Sequence, residues 1–245
     1  MLGTLYVIGV GPGDPELLTL KAVRILNEVP VICVPKGKED GSSLALSIVS
    51  KALNLSGKDI IEAHFPMQKT KSSENECELD TKWHNTVENV LSRLNRGIDT
   101  AFITMGDPSI YSTFFYLYDR ILELNPAVNI EIIPGVSSIN AAASKAKLSL
   151  GLADEKIAIL PATYADNLKE TLEKFDTVVL MKVHKVFDKV SKILDEMNLA
   201  GNAIYISRAG MDDELIIRDI KKIKKENLNY FSMLIIRRTD AREKK

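Results

Sequence analysis

Short apolar runs alternating with amphipathic stretches constrain the fold of this chain more than any other feature. The runs fall at 4–9, 31–34, 60–65, 100–104, 130–133, 157–160, 177–181, 203–206, 214–218 and 232–237. Between them, apolar residues recur at three- and four-residue spacing over about 15–27, 42–53, 81–96, 108–124, 137–147, 165–174 and 185–197. That is the period of helices with one buried face. Near-continuous apolar strands, each followed by a helix, describe a parallel sheet covered on both sides. Later the spacing tightens. The runs at 203–206 and 214–218 are too close for a parallel crossover, which needs at least about 10–12 residues, so they pair as a hairpin or lie apart. The expected fold class is α/β, with a mixed sheet in a second domain that begins around the helix ending at Asn125-Pro126.

Three of the strands end in a compact Gly/Pro turn before the next helix. The turns are Gly9-Val10-Gly11-Pro12-Gly13-Asp14-Pro15, Met105-Gly106-Asp107-Pro108 and Pro134-Gly135-Val136-Ser137-Ser138. Asp14 and Asp107 each precede a proline, which is how a helix start is written: a capping carboxylate, then a residue whose missing amide has no intrahelical partner anyway. A serine can cap the helix after the third turn. One such elbow would be ordinary punctuation between strand and helix. Three, at the carboxyl ends of parallel strands where ligands of open α/β sheets bind, point to a ligand site.

Composition removes several classes of function. The 245 residues carry 32 basic and 33 acidic side chains, a net charge of −1, so nothing marks a dedicated nucleic-acid binder. No apolar run approaches the roughly 18 residues of a membrane span. The N-terminal MLGTLYVIG lacks a basic segment and runs into a glycine turn, unlike a signal peptide, so a cytoplasmic protein is expected. Two cysteines, Cys33 and Cys77, make neither a disulfide framework nor a four-ligand zinc site. The lysine cluster at 221–225 and the tail AREKK read as solvated surface.

The first elbow resembles a dinucleotide fingerprint and fails it. Asp14 stands where the third glycine is needed, Pro12 removes an amide from the would-be phosphate cradle, and Pro35-Lys36 replaces the ribose-reading acid. A carboxylate at the turn repels a diphosphate and attracts a cation. The ligand should therefore be small, cationic or zwitterionic, and held mostly by backbone; S-adenosylmethionine fits that description.

GVGPGDPELLTLKA at 9–22, MGDPSIYST at 105–113 and EIIPGVSS at 131–138 resemble the tetrapyrrole methylase family, in order and at its spacing over nearly the whole chain. Within it, VPKGKEDGSSLAL at 34–46 and GDPSIYST are similar to the carbon-20 methyltransferases of cobalamin (corrin) biosynthesis, which act on precorrin-2 or its cobalt complex, cobalt-factor II. The resemblance implies two α/β domains with a cleft between them, here 1–113 on the substrate side and 114–245 with the mixed sheet and cofactor contacts, and a homodimer. It implies S-adenosyl-L-methionine as methyl donor, no protein-bound metal, and a tetrapyrrole acceptor. The implied cofactor-binding residues are Pro12, Met105, Gly106, Asp107, Ile110, Tyr111, Ser137, Ser138, Met181 and Ala209. From residue chemistry alone, Met181 would be core packing. The uroporphyrinogen methylases carry an aspartate after the second strand; Pro35 replaces it here, which speaks for the carbon-20 subgroup and leaves no evident general base. Tyr111 is the one catalytic candidate.

The acceptor's eight carboxylates call for local cations. Lys36, Lys38, Lys182, His184 and Arg208 adjoin strand ends or loops near the motifs and are the expected substrate contacts. The histidines show no metal-cage spacing, so any cobalt would arrive inside the macrocycle. Two alternatives stay open: a same-fold methylase with another acceptor (diphthine synthase or rRNA ribose methylase), and a non-catalytic S-adenosylmethionine sensor.

Overall fold

The computed structural model describes residues 1–37, 41–65 and 73–238. The chain divides into two compact units, Met1–Ser137 and Ser138–Lys245.

The first unit holds strands β1 (Thr4–Gly9), β2 (Val31–Lys36), β3 (Asp59–His64), β4 (Thr100–Thr104) and β5 (Asn129–Ile133), with helices α1 (Leu20–Glu28), α2 (Leu44–Ala52), α3 (Ser73–Asn95) and α4 (Phe115–Leu124). The strands form one sheet in the order β3-β2-β4-β1-β5, every pairing parallel. Alternate side chains serve opposite faces. Leu5, Val7, Cys33 and Phe102 pack with Val87, Leu94, Leu117 and Ile121 of α3 and α4. Ile8, Ile32, Val34 and Ile103 pack with Ile25, Leu26, Ile48 and Val49 of α1 and α2. Both faces are thus covered, as the unbroken apolar strands require.

The second unit opens with α5 (Ser138–Lys145) and continues with β6 (Ile157–Pro161), α6 (Leu168–Lys174), β7 (Thr177–Met181), α7 (Phe187–Glu196), β8 (Ala203–Ser207), β9 (Leu215–Ile217) and β10 (Ser232–Arg237). Its sheet runs β6-β7-β10-β8-β9. β6 and β7 are parallel, while β10 is antiparallel to both β7 and β8. β8 and β9 pair antiparallel, the first of the two arrangements that their close spacing leaves open. One face buries Leu180, Tyr205 and Leu234 against Phe187, Val190 and Leu194 of α7 and Leu168 and Leu172 of α6.

Three expectations need adjusting. The expected boundary after residue 113 falls inside the first unit: β5 pairs in parallel with β1 from Thr4–Asn129 to Ile8–Ile133, so residues 114–137 belong to that unit. The helix expected from 108 starts only at Phe115. Asp14 does not cap α1 either: it caps a short 3-10 helix, Pro15–Leu17, by accepting from the Glu16 amide, and Thr19 caps α1.

Candidate functional site

Neighbouring parallel strands end at one edge, so their elbows start side by side. In the first sheet β1 lies between β4 and β5, with Gly9 opposite Thr104 and Ile8 opposite Ile133. The three elbows singled out by sequence are therefore the exits of three adjacent strands. The first two are stitched together: the Gly106 amide donates to the Gly11 carbonyl at 2.8 Å, the Gly11 amide returns a bond to Gly106 at 3.3 Å, and Val10 donates to Thr104 at 2.9 Å. Gly11 and Gly106 hold φ of 77° and 71°, the left-handed region that glycine adopts at little cost.

The third elbow packs into the same point. A Cβ on Gly135 would lie 2.4 Å from the Gly106 oxygen and 2.7 Å from that of Gly9; one on Gly9 would lie 2.6 Å from the Gly106 oxygen. All of these obstructions are backbone, which cannot swing away. Asp107 ties the knot. One carboxylate oxygen accepts from the Gly135 amide at 2.9 Å, and the other accepts from the Ser109 amide at 2.8 Å and from the Ser109 hydroxyl. Burial alone would raise the Asp107 pKa, but the bonds from the Ser109 hydroxyl and the Gly135 and Ser109 amides outweigh it and hold the carboxyl below its ordinary range. Asp107 thus links two elbows and caps no helix, a correction to the sequence expectation.

What stops a helix from following Asp107-Pro108 is visible in the next residues. Tyr111 has φ 53°, which an α-helix cannot accommodate. Ser112 then donates to the Thr104 hydroxyl at 3.3 Å and accepts from the Phe114 amide at 3.2 Å, returning the loop to the end of β4. Among the cofactor candidates of this unit, Pro12, Gly106 and Ser137 are buried, Met105, Asp107 and Ile110 half-buried, and Tyr111 exposed. Ser138, half-buried, opens α5.

The second unit carries the remaining candidates at the ends of β7 and β8, which flank the start of β10. Met181 and Ile206 both sit opposite Met233. The residue after each end is left-handed: Lys182 with φ 57°, which follows Met181, and Arg208 with φ 52°, which follows Ser207. The Lys182 amide donates to the Ser232 carbonyl at 2.8 Å and the Arg208 amide to Phe231 at 2.7 Å. The Lys182 ammonium lies 5.5 Å from the centre of the Tyr230 ring, and the His184 ring meets the same tyrosine edge-on at 5.7 Å. Burial, then the charge of Lys185, lowers the His184 pKa. Arg208 pairs with Asp213, and Ala209 is buried directly beyond it.

Of the other expected substrate contacts, Lys36 closes β2 and is paired with Glu62 at 3.0 Å. Lys38 lies outside the described residues. Burial pushes the Cys33 thiol up to about 12, so it is no nucleophile. Sequence reasoning missed the Asp107–Gly135 link, the Thr104–Ser112 bond and Tyr230. The first two depend on strand order, and Tyr230 lies in the aperiodic stretch ENLNYF.

Residues 4–223 match the family model described as Tetrapyrrole (Corrin/Porphyrin) Methylases. Among curated proteins, the chain is 36% identical to a probable cobalt-precorrin-2 C(20)-methyltransferase of Methanocaldococcus jannaschii, over 96% of each chain. It is 32% identical to a cobalt-precorrin-2 C(20)-methyltransferase of Salmonella typhimurium, over 96% of this chain and 97% of that one. Among solved structures it is similar to the uroporphyrin-III C-methyl transferase of Thermus thermophilus complexed with S-adenyl homocysteine. The TM-score there is 0.64 at 20% identity, covering 96% of this chain and 92% of the other.

Proposed function

Because the chain belongs to the tetrapyrrole methylase family, we propose that it transfers a methyl group from S-adenosylmethionine to carbon 20 of precorrin-2 or its cobalt complex in cobalamin biosynthesis. Two relatives of more than 30% identity bear the names of enzymes that use the cobalt complex, and this favours that acceptor here.

The observation that carries the cofactor side is the knot of three elbows. Pro12 withholds an amide, the Gly11 and Gly106 amides are spent on each other, and the Asp107 carboxyl is held charged. Such a surface is a poor phosphate cradle and suits a ligand with sulfonium and ammonium charges. S-adenosylmethionine, once bound, supplies a methyl group already activated on sulfur. The protein's task is then alignment, since holding donor and acceptor in line supplies much of the rate. Pro12, Met105, Gly106, Ile110, Tyr111, Ser137 and Ser138 are proposed to line the cofactor, with Asp107 fixing the elbows. Met181 and Ala209 are proposed as cofactor residues on the strength of the resemblance. The proton lost from carbon 20 has no assigned acceptor.

A homodimer and a cytoplasmic location belong to the same reading. No helix among the described residues is long and apolar enough to cross a membrane, and light scattering on the purified protein tests the dimer.

The activity itself is tested by incubating the protein under strict anaerobiosis with methyl-labelled S-adenosylmethionine and each acceptor in turn. Label on carbon 20, faster with the cobalt complex, is the expected result. Cofactor binding with no transfer to either acceptor would favour a sensor and overturn the reading.

A further inference from the structure

At the end of the second sheet where β7 and β8 flank the start of β10, several observations meet that the cofactor knot does not explain. The first is an uncompensated charge. Lys182 is half-buried, and its ammonium faces the Tyr230 ring with no ion pair to any described residue. Arg208, one strand end away, is neutralised by Asp213. A partly desolvated cation without a counter-charge is unfavourable, and a carboxylate is its natural complement.

The second is an orphaned polar atom beside a buried histidine. Ser232 Oγ is buried and has no hydrogen-bond partner among the described residues, while the His184 ring, whose Nδ1 is equally buried, shares a hydrogen bond with the Lys182 backbone. Ser232 is only 3% exposed, and its carbonyl accepts the Lys182 amide. Buried polar atoms in folded proteins are nearly always paired, so the unpaired hydroxyl beside an unneutralised lysine and a histidine marks a polar place that the protein's own groups leave unfilled. The two comparable atoms elsewhere lack that setting. His64 lies opposite Lys36, which is paired with Glu62. Thr177 lies opposite Arg237, which is paired with Glu155.

The third is backbone strain. The left-handed conformation costs a non-glycine residue about 1 kcal/mol or more, yet both Lys182 and Arg208 adopt it, each held by an amide bond to the start of β10. Glycine would relieve the strain and lose the side chain. Long cations at both positions fit a role in which the side chain matters.

We propose that Lys182 and His184, framed by Tyr230 and Ser232, form a subsite for one side-chain carboxylate of the tetrapyrrole, with Arg208 at its rim. The subsite carries one unneutralised positive charge, matching a monoanion. It rests on the proposed acceptor and goes beyond it by placing one of the acceptor's carboxylates.

Direct binding tests it apart from turnover. Uroporphyrin III, an octacarboxylate, serves as the probe for the acceptor side and S-adenosylhomocysteine for the cofactor side, with melting temperature confirming the fold. Lys182→Ala weakens porphyrin binding about tenfold, Lys182→Arg restores most of it, and S-adenosylhomocysteine binds all variants alike. Assayed at alkaline pH, where the His184 imidazole is neutral with or without its neighbour's charge, Lys185→Ala, which removes the adjacent exposed charge, leaves porphyrin affinity unchanged. The subsite is overturned if wild type does not bind the porphyrin, if Lys182→Ala binds it as well as wild type, if Lys185→Ala loses as much, or if the loss falls equally on S-adenosylhomocysteine. Wild-type porphyrin binding without methyl transfer sinks only the activity. Transfer with an unchanged KM in Lys182→Ala sinks only the subsite.

Discussion

The strand ends of the two units present ligands with different materials. In the first unit β1, β4 and β5 end in glycine-rich loops whose backbones interlock through Gly9, Gly11, Gly106 and Gly135. The surface is backbone, and its shape is fixed by close approach. In the second unit β7 and β8 end in left-handed Lys182 and Arg208, so the surface is side chain and its character is charge. A backbone surface cannot be altered by substituting a side chain without collision, whereas a surface of cations can change specificity by single replacements. That division suits recognition by fixed shape on the first surface and by replaceable charge on the second.

The comparison breaks first, and by the largest effect, at Gly135. An alanine there places Cβ 2.4 Å from one backbone oxygen and 2.7 Å from another. Overpacking against atoms that cannot move costs about 3 kcal/mol. Gly135→Ala should lower the melting temperature and weaken S-adenosylhomocysteine binding about a hundredfold by calorimetry. Gly201→Ala is the control, because its Cβ would meet nothing within 4 Å; it should stay within about 0.5 kcal/mol of wild type. Equal behaviour of the two would show that the knot tolerates a side chain.

Asp107 comes next. Its carboxylate bonds go to amides and a hydroxyl of the protein, so its effect on the cofactor passes through the position of the third elbow. Hydrogen bonds to a charged group contribute about 1.5–3 kcal/mol. Asp107→Ala should weaken S-adenosylhomocysteine at least about tenfold. Asp107→Asn, which keeps an acceptor for the Gly135 amide, should recover part of that. The folded-state pKa is lowered, so the pin's contribution is complete above the ordinary carboxylate range of about pH 4 and is lost as pH falls through the lower folded value. Cofactor affinity that is unchanged in both variants would exclude the pin.

Strand positions in the two sheets were legible from the sequence because apolar periodicity is local: β1, β4 and β7 match the expected 4–9, 100–104 and 177–181. So was the gathering of three elbows, once a parallel sheet was inferred. What the sequence hid depends on order and register. Nothing in 129–133 says that this run adds beside β1, so the sequence alone puts the unit boundary too early. Nothing in Asp107-Pro108 separates a helix cap from an acceptor for an amide 28 residues away. The left-handed backbones of Tyr111, Lys182 and Arg208 were also invisible, because side-chain identity does not announce positive φ outside glycine and asparagine.

A smaller effect tests the strained side of the comparison. Arg208→Gly relieves a left-handed backbone worth about 1–2 kcal/mol but adds freedom to the unfolded chain worth about 0.5–1 kcal/mol. The lost pair with Asp213 is partly exposed and counts for little. The net change in stability should be between zero and about 1 kcal/mol of gain by urea denaturation, with weaker porphyrin binding. A clear loss of stability would mean that Arg208 is held there for the fold.

The smallest expected effect is the pH response of His184. Its pKa is lowered from 6.5, first by burial and then by Lys185, so the unfolded chain takes up this proton more readily than the folded one. Stability therefore falls as pH drops below about 6.5, until the folded imidazole is itself protonated. His184→Gln removes that slope and no other. The difference in stability between wild type and variant, followed by urea titration from neutral to mildly acidic pH, should shift against wild type as pH falls. A carboxylate seated beside Lys182 and His184 opposes that lowering, because it favours the imidazolium. Uroporphyrin III should therefore flatten the difference, whereas S-adenosylhomocysteine should not. If both ligands flatten it alike, the end of the second sheet beside Lys182 and His184 is not selective for the acceptor.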